Sequence, residues 1–436
     1  MSVRTGLLAL MFAAAFSGAS AQPLGPVADC TAPPPARLTW ADAQQRLVAC
    51  NRELVASRRA IESAAADTLV AGQAPNPTFT AGVGSINPKL GIGAGTIGQK
   101  TVDTSLRLEQ LIERGGKRTL RRQGAATLLA AAREDRREVG RQQRLLLAQT
   151  MVESAALDAR IALLTEVTTL YEEAGRANAR RLSSGDMAAI DAQRQSIDAA
   201  RASAELLQAR SDATRSRQTL AALLAWEPFA ASLSVDPSIF DTPRQEVSID
   251  ELERRPDLIA ARLRVEAARA ARDLALAQTT RDVTVGAQVD HFPGSATNPS
   301  GNGNTIGFTV AVPLLTHHRF EGEIARARND LLAAEENRQR MRAIAHADLA
   351  RLDADVAAAR SRLALLDTQQ RPLAEQVAQS AERGYTRGAL SVLELLDARR
   401  VLRQTRLDVL AARAEVARAT LARNVALLAG GFSDPP

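Results

Sequence analysis

Catalytic signatures are missing from this 436-residue chain: there is no HExxH, no CxxC, no phosphate-binding glycine loop and no GxSxG elbow. Histidine is limited to positions 291, 317, 318 and 346. His317 and His318 are adjacent, so at a helix start their rings diverge, and a surface or junction role outweighs metal binding. No catalytic residue, metal site or cofactor is expected, and the chain does not read as an enzyme. Aromatic residues make up 3% against 45% hydrophobic residues overall, which argues against several globular cores and for extended Ala/Leu helix packing. Lysine occurs at 89, 100 and 117 only. The net charge of +6 therefore comes from arginines interspersed with Asp and Glu, the pattern of solvated helix faces. A concentrated basic patch is lacking, so nucleic acid is not an expected partner.

Long apolar runs are also lacking. Beyond the N-terminus no uncharged stretch of about 18 apolar residues occurs, so a membrane crossing would have to be a closed β-barrel. At the N-terminus, Arg4, the apolar run Leu7 to Phe16 and Ala19-Ser20-Ala21 have the three-part layout of a secretory signal peptide, residues 1–21. Residues 22–38 form an N-terminal extension. Only two cysteines occur, Cys30 and Cys50. In an oxidising compartment they are disulfide candidates, and closing a loop of about 20 residues stabilises by roughly 3 kcal/mol in the chain-entropy model. Lipid attachment at Cys30 is the competing reading, although Val27-Ala28-Asp29 before it is a poor lipoprotein signal.

What is present is one unit written twice, offset by about 203 residues. Each copy reads helix, strand, Gly-rich loop, strand, very long helix, turn, helix. The first repeat is placed at residues 39–226, an irregular linker with Pro228, Pro237 and Pro243 at 227–248, the second repeat at 249–429 and a tail at 430–436. The opening helices are expected from about Thr39 to Gly72 and from about Ile249 to Thr280.

Val283, Val285, Ala287 and Val289 alternate with Thr284, Gly286, Gln288 and Asp290, and Ile306, Phe308, Val310 and Val312 alternate with small or polar residues. Val102, Thr104, Leu106 and Leu108 alternate with Asp103, Ser105, Arg107 and Glu109. The charged set needs water on its face, as in the lumen of a barrel. A soluble antiparallel sheet would alternate in the same way. Residues 82–99 and 292–304 read as long exposed loops. Four strands cannot close a barrel, since the smallest membrane barrels use about eight. Three copies would supply twelve.

Long helices are expected from about Lys117 to Arg181 and from about Arg319 to Arg383, each on the order of 90 Å at 1.5 Å per residue. Leu349, Leu352, Val356, Ala359, Leu363 and Leu366 follow the 3-4 spacing of a left-handed coiled coil. Tip turns fall at Gly185 and Gly388. Asp191 lies six residues after the first, Glu394 six after the second, and Asp397 shares a helix face with Glu394. Around a symmetry axis such acids form rings that attract cations; a solvated face or an intersubunit salt bridge fits the spacing equally.

Gly384-Tyr385-Thr386-Arg387-Gly388, Val392 through Ala398, Gly185 through Asp191 and Arg255-Pro256-Asp257-Leu258 together resemble the TolC-like outer membrane efflux protein family over nearly the whole mature chain. Leu108 through Arg118, ending Gly115-Gly116-Lys117-Arg118, is most similar to its heavy-metal cation efflux, CzcC-like branch.

The resemblance implies an α+β membrane protein: a long antiparallel coiled-coil helical barrel, plus four β-strands per subunit contributing to a twelve-stranded trimeric outer-membrane β-barrel. It implies a homotrimer set in outer membrane lipid, with a large periplasmic part. The chain would be the passive exit duct of a tripartite proton-driven system, with a periplasmic adaptor and an inner-membrane RND-type pump as partners and heavy-metal cations as cargo. Multidrug efflux and type I secretion are alternatives within the class, and a periplasmic coiled-coil adaptor or scaffold without a barrel is the alternative outside it. Glu394 and Asp397 match the family's acidic constriction. Asp191 and Tyr385 match a closing hydrogen-bond network, from which Leu390 departs by standing where the best-known member has an arginine.

Overall fold

The structure, a computed structural model, describes residues 30–86, 88–89, 91–94, 102–185, 188–245, 249–293 and 303–426. The signal-peptide assignment at 1–21 and the tail at 430–436 lie outside the described residues, as do parts of the two loops.

The first expected helix is two helices, α1 (Trp40–Cys50) and α2 (Arg52–Gly72). Asn51 breaks it. Its backbone is extended (φ −66°, ψ 128°), and its side-chain oxygen accepts from the N–H groups of Glu53 (3.0 Å) and Leu54 (3.2 Å), capping α2 as asparagine does at a helix start. The other expected opening helix, from Ile249, becomes a single turn, α5 (Ile249–Leu252), followed by α6 (Pro256–Ala277). The cause is Pro256: it holds Arg255 in an extended conformation and opens α6 at the first helical position, where a missing N–H costs nothing.

α3 (Lys117–Ser183) runs 67 residues, about 100 Å at 1.5 Å per residue. Its counterpart is interrupted. α7 (Glu321–Leu365) passes through a π turn, Leu366–Gln370, into α8 (Arg371–Thr386). The turn directly precedes Pro372, whose ring and missing N–H do not fit an unbroken α-helical ladder. Through this stretch Leu352, Val356, Ala359 and Leu366 are buried, the last against Val409 and Ala412. α4 (Ala189–Leu224) and α9 (Val392–Ala426) return from the tips. α2 and α6 pack beside the barrel-side half of α3, and α4 and α9 beside the tip-side half. None of the described helices is long and apolar enough to cross a membrane.

The main core lies where these layers meet, around Leu38, Leu47, Leu147, Met151, Leu224 and Leu421. The stretch expected as irregular linker contributes to it through two 3₁₀ turns, Glu227–Ser232 and Pro237–Asp241. Leu38 pairs with Val235 in a parallel bridge, and the Trp226 indole N–H donates to the Ala32 carbonyl at 2.7 Å. Cys30 and Cys50 are joined by a disulfide, with their Cα atoms 5.7 Å apart. Arg46 lies over the Trp226 ring at 4.7 Å and donates to the Leu224 and Ala225 carbonyls, fastening α1 to the end of α4.

The four strands β1 (Thr78–Gly84), β2 (Asp103–Ile112), β3 (Val283–Phe292) and β4 (Gly303–Ala311) form one antiparallel sheet in sequence order. β2 pairs with β3 at the middle of the sheet, and β1 and β4 are its edges. Register puts Phe79, Leu108, Ala287 and Phe308 side by side, and Ala81, Leu106, Val289 and Ile306 in the next row on that face. This apolar face is turned to the outside, with Phe308 83% and Ile306 72% exposed. A water-facing sheet would hide such residues, whereas a lipid-facing one displays them.

Strand meets helix at a sharp elbow. Gly115 and Gly116 are both left-handed (φ 73° and 71°), and a Cβ on Gly115 would lie 2.9 Å from Thr280 Cβ. Lys117, 4% exposed, donates to the Thr280 carbonyl and to Asp282, each at 2.9 Å, while the Arg114 N–H donates to Asp282 at 2.8 Å. Arg121 grips Glu113 through two bonds of 2.5 and 2.9 Å. The Arg121 hydrogen bond holds Glu113 below its ordinary value of 4.5. Burial alone would raise Asp282, but Lys117 and the Arg114 N–H outweigh it and hold it below 3.8.

Folding thus lowers both carboxyls, so their stabilisation is full above the ordinary values and is lost as pH falls through the lower folded ones. Between about pH 5 and pH 3, the melting temperature of the purified protein should fall more steeply for the wild type than for Glu113→Gln. Parallel slopes would show that the elbow does not contribute to acid sensitivity.

Candidate functional site

The far ends of the helical hairpins are built by two left-handed glycines, Gly185 (φ 79°) and Gly388 (φ 73°), a conformation costly to any residue with a Cβ. At the second tip the Gly388 N–H donates to the Tyr385 carbonyl (3.0 Å) and the Ala389 N–H to the Gly384 carbonyl (2.8 Å). Leu390 folds back onto Gly384, where a Cβ would sit 2.7 Å from the leucine Cδ1. A side chain at position 384 would displace Leu390, which packs with Tyr385, Ala381, Leu395 and Ala398.

Glu394 is committed locally. Its carboxylate accepts from the Ser391 N–H (2.7 Å) and hydroxyl (2.9 Å), while Ser391 Oγ accepts from the Glu394 N–H (3.3 Å). This is a capping box that starts α9. The Ser391 N–H, then its hydroxyl, hold the Glu394 carboxyl below its ordinary value, so it is ionised at neutral pH. Asp397, one turn on, is exposed on the same face, and the two acids line a shallow groove with Val377, Leu390 and Val401. Asp191 sits in the first turn of α4, 3.9 Å from Arg194.

Tyr385 is brought to Arg181 at the end of α3, not to Asp191. The Arg181 guanidinium donates to the phenol oxygen and lies 5.6 Å from the ring centroid. Within one subunit, then, Glu394 and Asp397 come together, while Tyr385 is bonded to Arg181 and Asp191 lies beside Arg194.

The residues that join the two hairpins lie further up. Asp198, 4% exposed, accepts from Arg400 across the α4–α9 contact, and this hydrogen bond holds the Arg400 guanidinium above its ordinary value. Arg403 faces Glu205 at 3.7 Å, and Arg406 faces Glu166 at 3.5 Å. Tyr171 is buried against Ala202 and Leu396, and that burial pushes its phenol up. A signal for these was present: Asp191, Asp198 and Glu205 recur every seven residues, a charged line along one coiled-coil edge. Among the described residues, no three His, Cys, Asp or Glu side chains converge as a metal site would require.

Residues 248–430 match the family described as outer membrane efflux protein. The cobalt-zinc-cadmium resistance protein CzcC of Cupriavidus metallidurans is 24% identical over 326 residues, 74% of this chain and 77% of the relative. In fold, the chain is similar to the outer membrane protein VceC of Vibrio cholerae (TM-score 0.74, 22% identity, 90% of this chain and 97% of that one). It is likewise similar to the open MtrE outer membrane channel of Neisseria gonorrhoeae (TM-score 0.70, 17% identity, 90% and 89%). Two long hairpins on a four-stranded sheet, apolar on one face and polar on the other, give this chain the fold of those channels, and its residues 248–430 are similar to the outer membrane efflux protein family.

Proposed function

We propose that three copies of this chain pool their strands into a twelve-stranded barrel and form the exit duct of a tripartite, proton-driven efflux system for heavy-metal cations. The observation that carries the duct is the sheet: an exposed apolar face, a charged opposite face, and two edge strands, β1 and β4, whose outward sides have no strand partner among the described residues. Lipid cannot satisfy unpaired backbone N–H and C=O groups, so edge must meet edge in a closed ring. The cargo rests on the similarity to a cobalt-zinc-cadmium resistance protein along three quarters of the chain. In this reading a periplasmic adaptor joins the tips to an inner-membrane RND-type pump, which supplies the energy. Residues 1–21 are its secretory signal, and 39–226 and 249–429 its two repeats.

The gate lies at the tips. Glu394, ionised, and Asp397, exposed beside it, form the acidic constriction, and Asp191 and Tyr385 hold neighbouring helices together across subunits. A deletion strain should lose resistance to zinc, cadmium or cobalt and regain it with the wild-type chain; loss of drug resistance or protein secretion instead would reassign the cargo. In reconstituted trimers, Glu394→Ala with Asp397→Ala should weaken divalent block of the conductance about tenfold, as removal of a charged ring does. Unchanged block would take both residues out of the constriction.

A further inference from the structure

The charged side chains of the described strands, Asp103, Arg107 and Glu109 of β2 and Asp290 of β3, all lie on the face opposite the apolar one. In register they occupy successive rungs, Glu109 opposite Gly286, Arg107 opposite Gln288, Asp290 opposite Ser105, then Asp103, about 7 Å apart along the strand. Arg107 is the single cation among them.

It is held flat along the wall. Its Nε and Nη2 donate to Gln288 Oε1 at 3.0 and 2.7 Å, and its Nη1 is 3.5 Å from the Glu109 carboxylate. Gln288 in turn donates to Asp290 at 2.6 Å. The wall is thinned beside this chain of contacts: a Cβ on Gly286 would press on Thr309 and approach Glu109 Cγ at 3.2 Å.

We propose that Arg107 is a specificity-determining residue of the barrel, which tempers the preference of an otherwise acidic lumen for small hydrated cations. The inference rests on the pooled barrel proposed above. There, three guanidiniums form a ring between rings of carboxylates, and fixed charges act on permeant ions within a screening length of about 8 Å at physiological salt. Because Gln288 and Glu109 hold the guanidinium against the wall, its charge is felt without blocking the path. Removing the cation leaves carboxylates alone; removing Glu109 leaves Arg107 less opposed. The two changes must act in opposite directions.

The test is the reversal potential of purified trimers in planar bilayers under a KCl gradient. Arg107→Gln should raise the potassium-to-chloride permeability ratio about threefold, Glu109→Gln should lower it by a similar factor, and Arg107→Lys should stay near the wild type. An unchanged or lowered ratio in conducting Arg107→Gln trimers overturns the assignment. If that variant fails to assemble, Glu109→Gln decides: a lowered ratio supports the role and any other result overturns it. Wild-type protein that yields no conducting trimers would overturn the duct reading beneath it.

Discussion

Replacing Phe308 with arginine should abolish assembly in the outer membrane. Phe308 stands near the middle of β4, 83% exposed on the apolar face, in one row with Ala287, Leu108 and Phe79. A guanidinium on the lipid face of a barrel costs about 2–4 kcal/mol near the midplane. In the proposed trimer the cost falls on each of three subunits that close cooperatively, so the total, about 6–12 kcal/mol, is comparable with the whole stability margin of an ordinary domain, about 5–15 kcal/mol. The readout is the heat-modifiable trimer in gels of outer-membrane fractions. Thr305→Arg supplies the contrast: Thr305 pairs with Asp290 on the opposite, polar face, where a cation has water and a carboxylate within reach, so its trimer band should remain. Equal tolerance of both changes would mean that the exposed apolar face does not meet lipid, and the barrel would fall with it.

The second large effect is expected far from the sheet. Arg255 and Asp257 are 3% and 8% exposed at the start of α6, joined through two bonds of 3.1 and 2.6 Å, and Asp257 also accepts from the Leu258 N–H at 2.9 Å. Asp257→Ala would leave a guanidinium in a nearly dry site without its carboxylate, and breaking a buried pair in this way costs about 3–5 kcal/mol. Asp257→Asn keeps the hydrogen-bonding shape and loses only the charge, so it should fall between. Denaturant unfolding of the detergent-solubilised protein measures both. A loss under about 0.5 kcal/mol for Asp257→Ala, the usual range for a surface site, would show that water reaches Arg255. The Arg-Pro-Asp-Leu motif is therefore a folding device: proline sets the helix start, and the flanking charges neutralise each other where α6 enters the packed layer beside α3 and α7.

Much of the architecture is local enough to read along the chain. Alternation in β2, β3 and β4 shows which side chains share a face, because a strand has a period of two whatever surrounds it. The length of α3 follows from 67 residues without a proline, its three glycines standing singly, and the tip turns follow from Gly185 and Gly388, where only glycine takes a left-handed backbone cheaply. Four strands are too few to close a membrane barrel by themselves. These properties belong to single elements, and sequence by itself determines them.

Tertiary structure decided whatever depends on partners distant in sequence. That β2 lies beside β3 is a pairing across more than 170 residues. The break at Asn51 is stabilised where its side chain reaches the Leu223 carbonyl at 3.0 Å, a contact the local sequence does not contain. Tyr385 meets Arg181, and Asp198 meets Arg400, because the coiled-coil register brings them level. Leu390, read as a departure from the closing network, proves to be the residue that seals the turn on Gly384. Periodicity tells which way a side chain faces; only the folded chain tells what it meets there, because register and crossing are set by the sum of many weak contacts that no single stretch encodes.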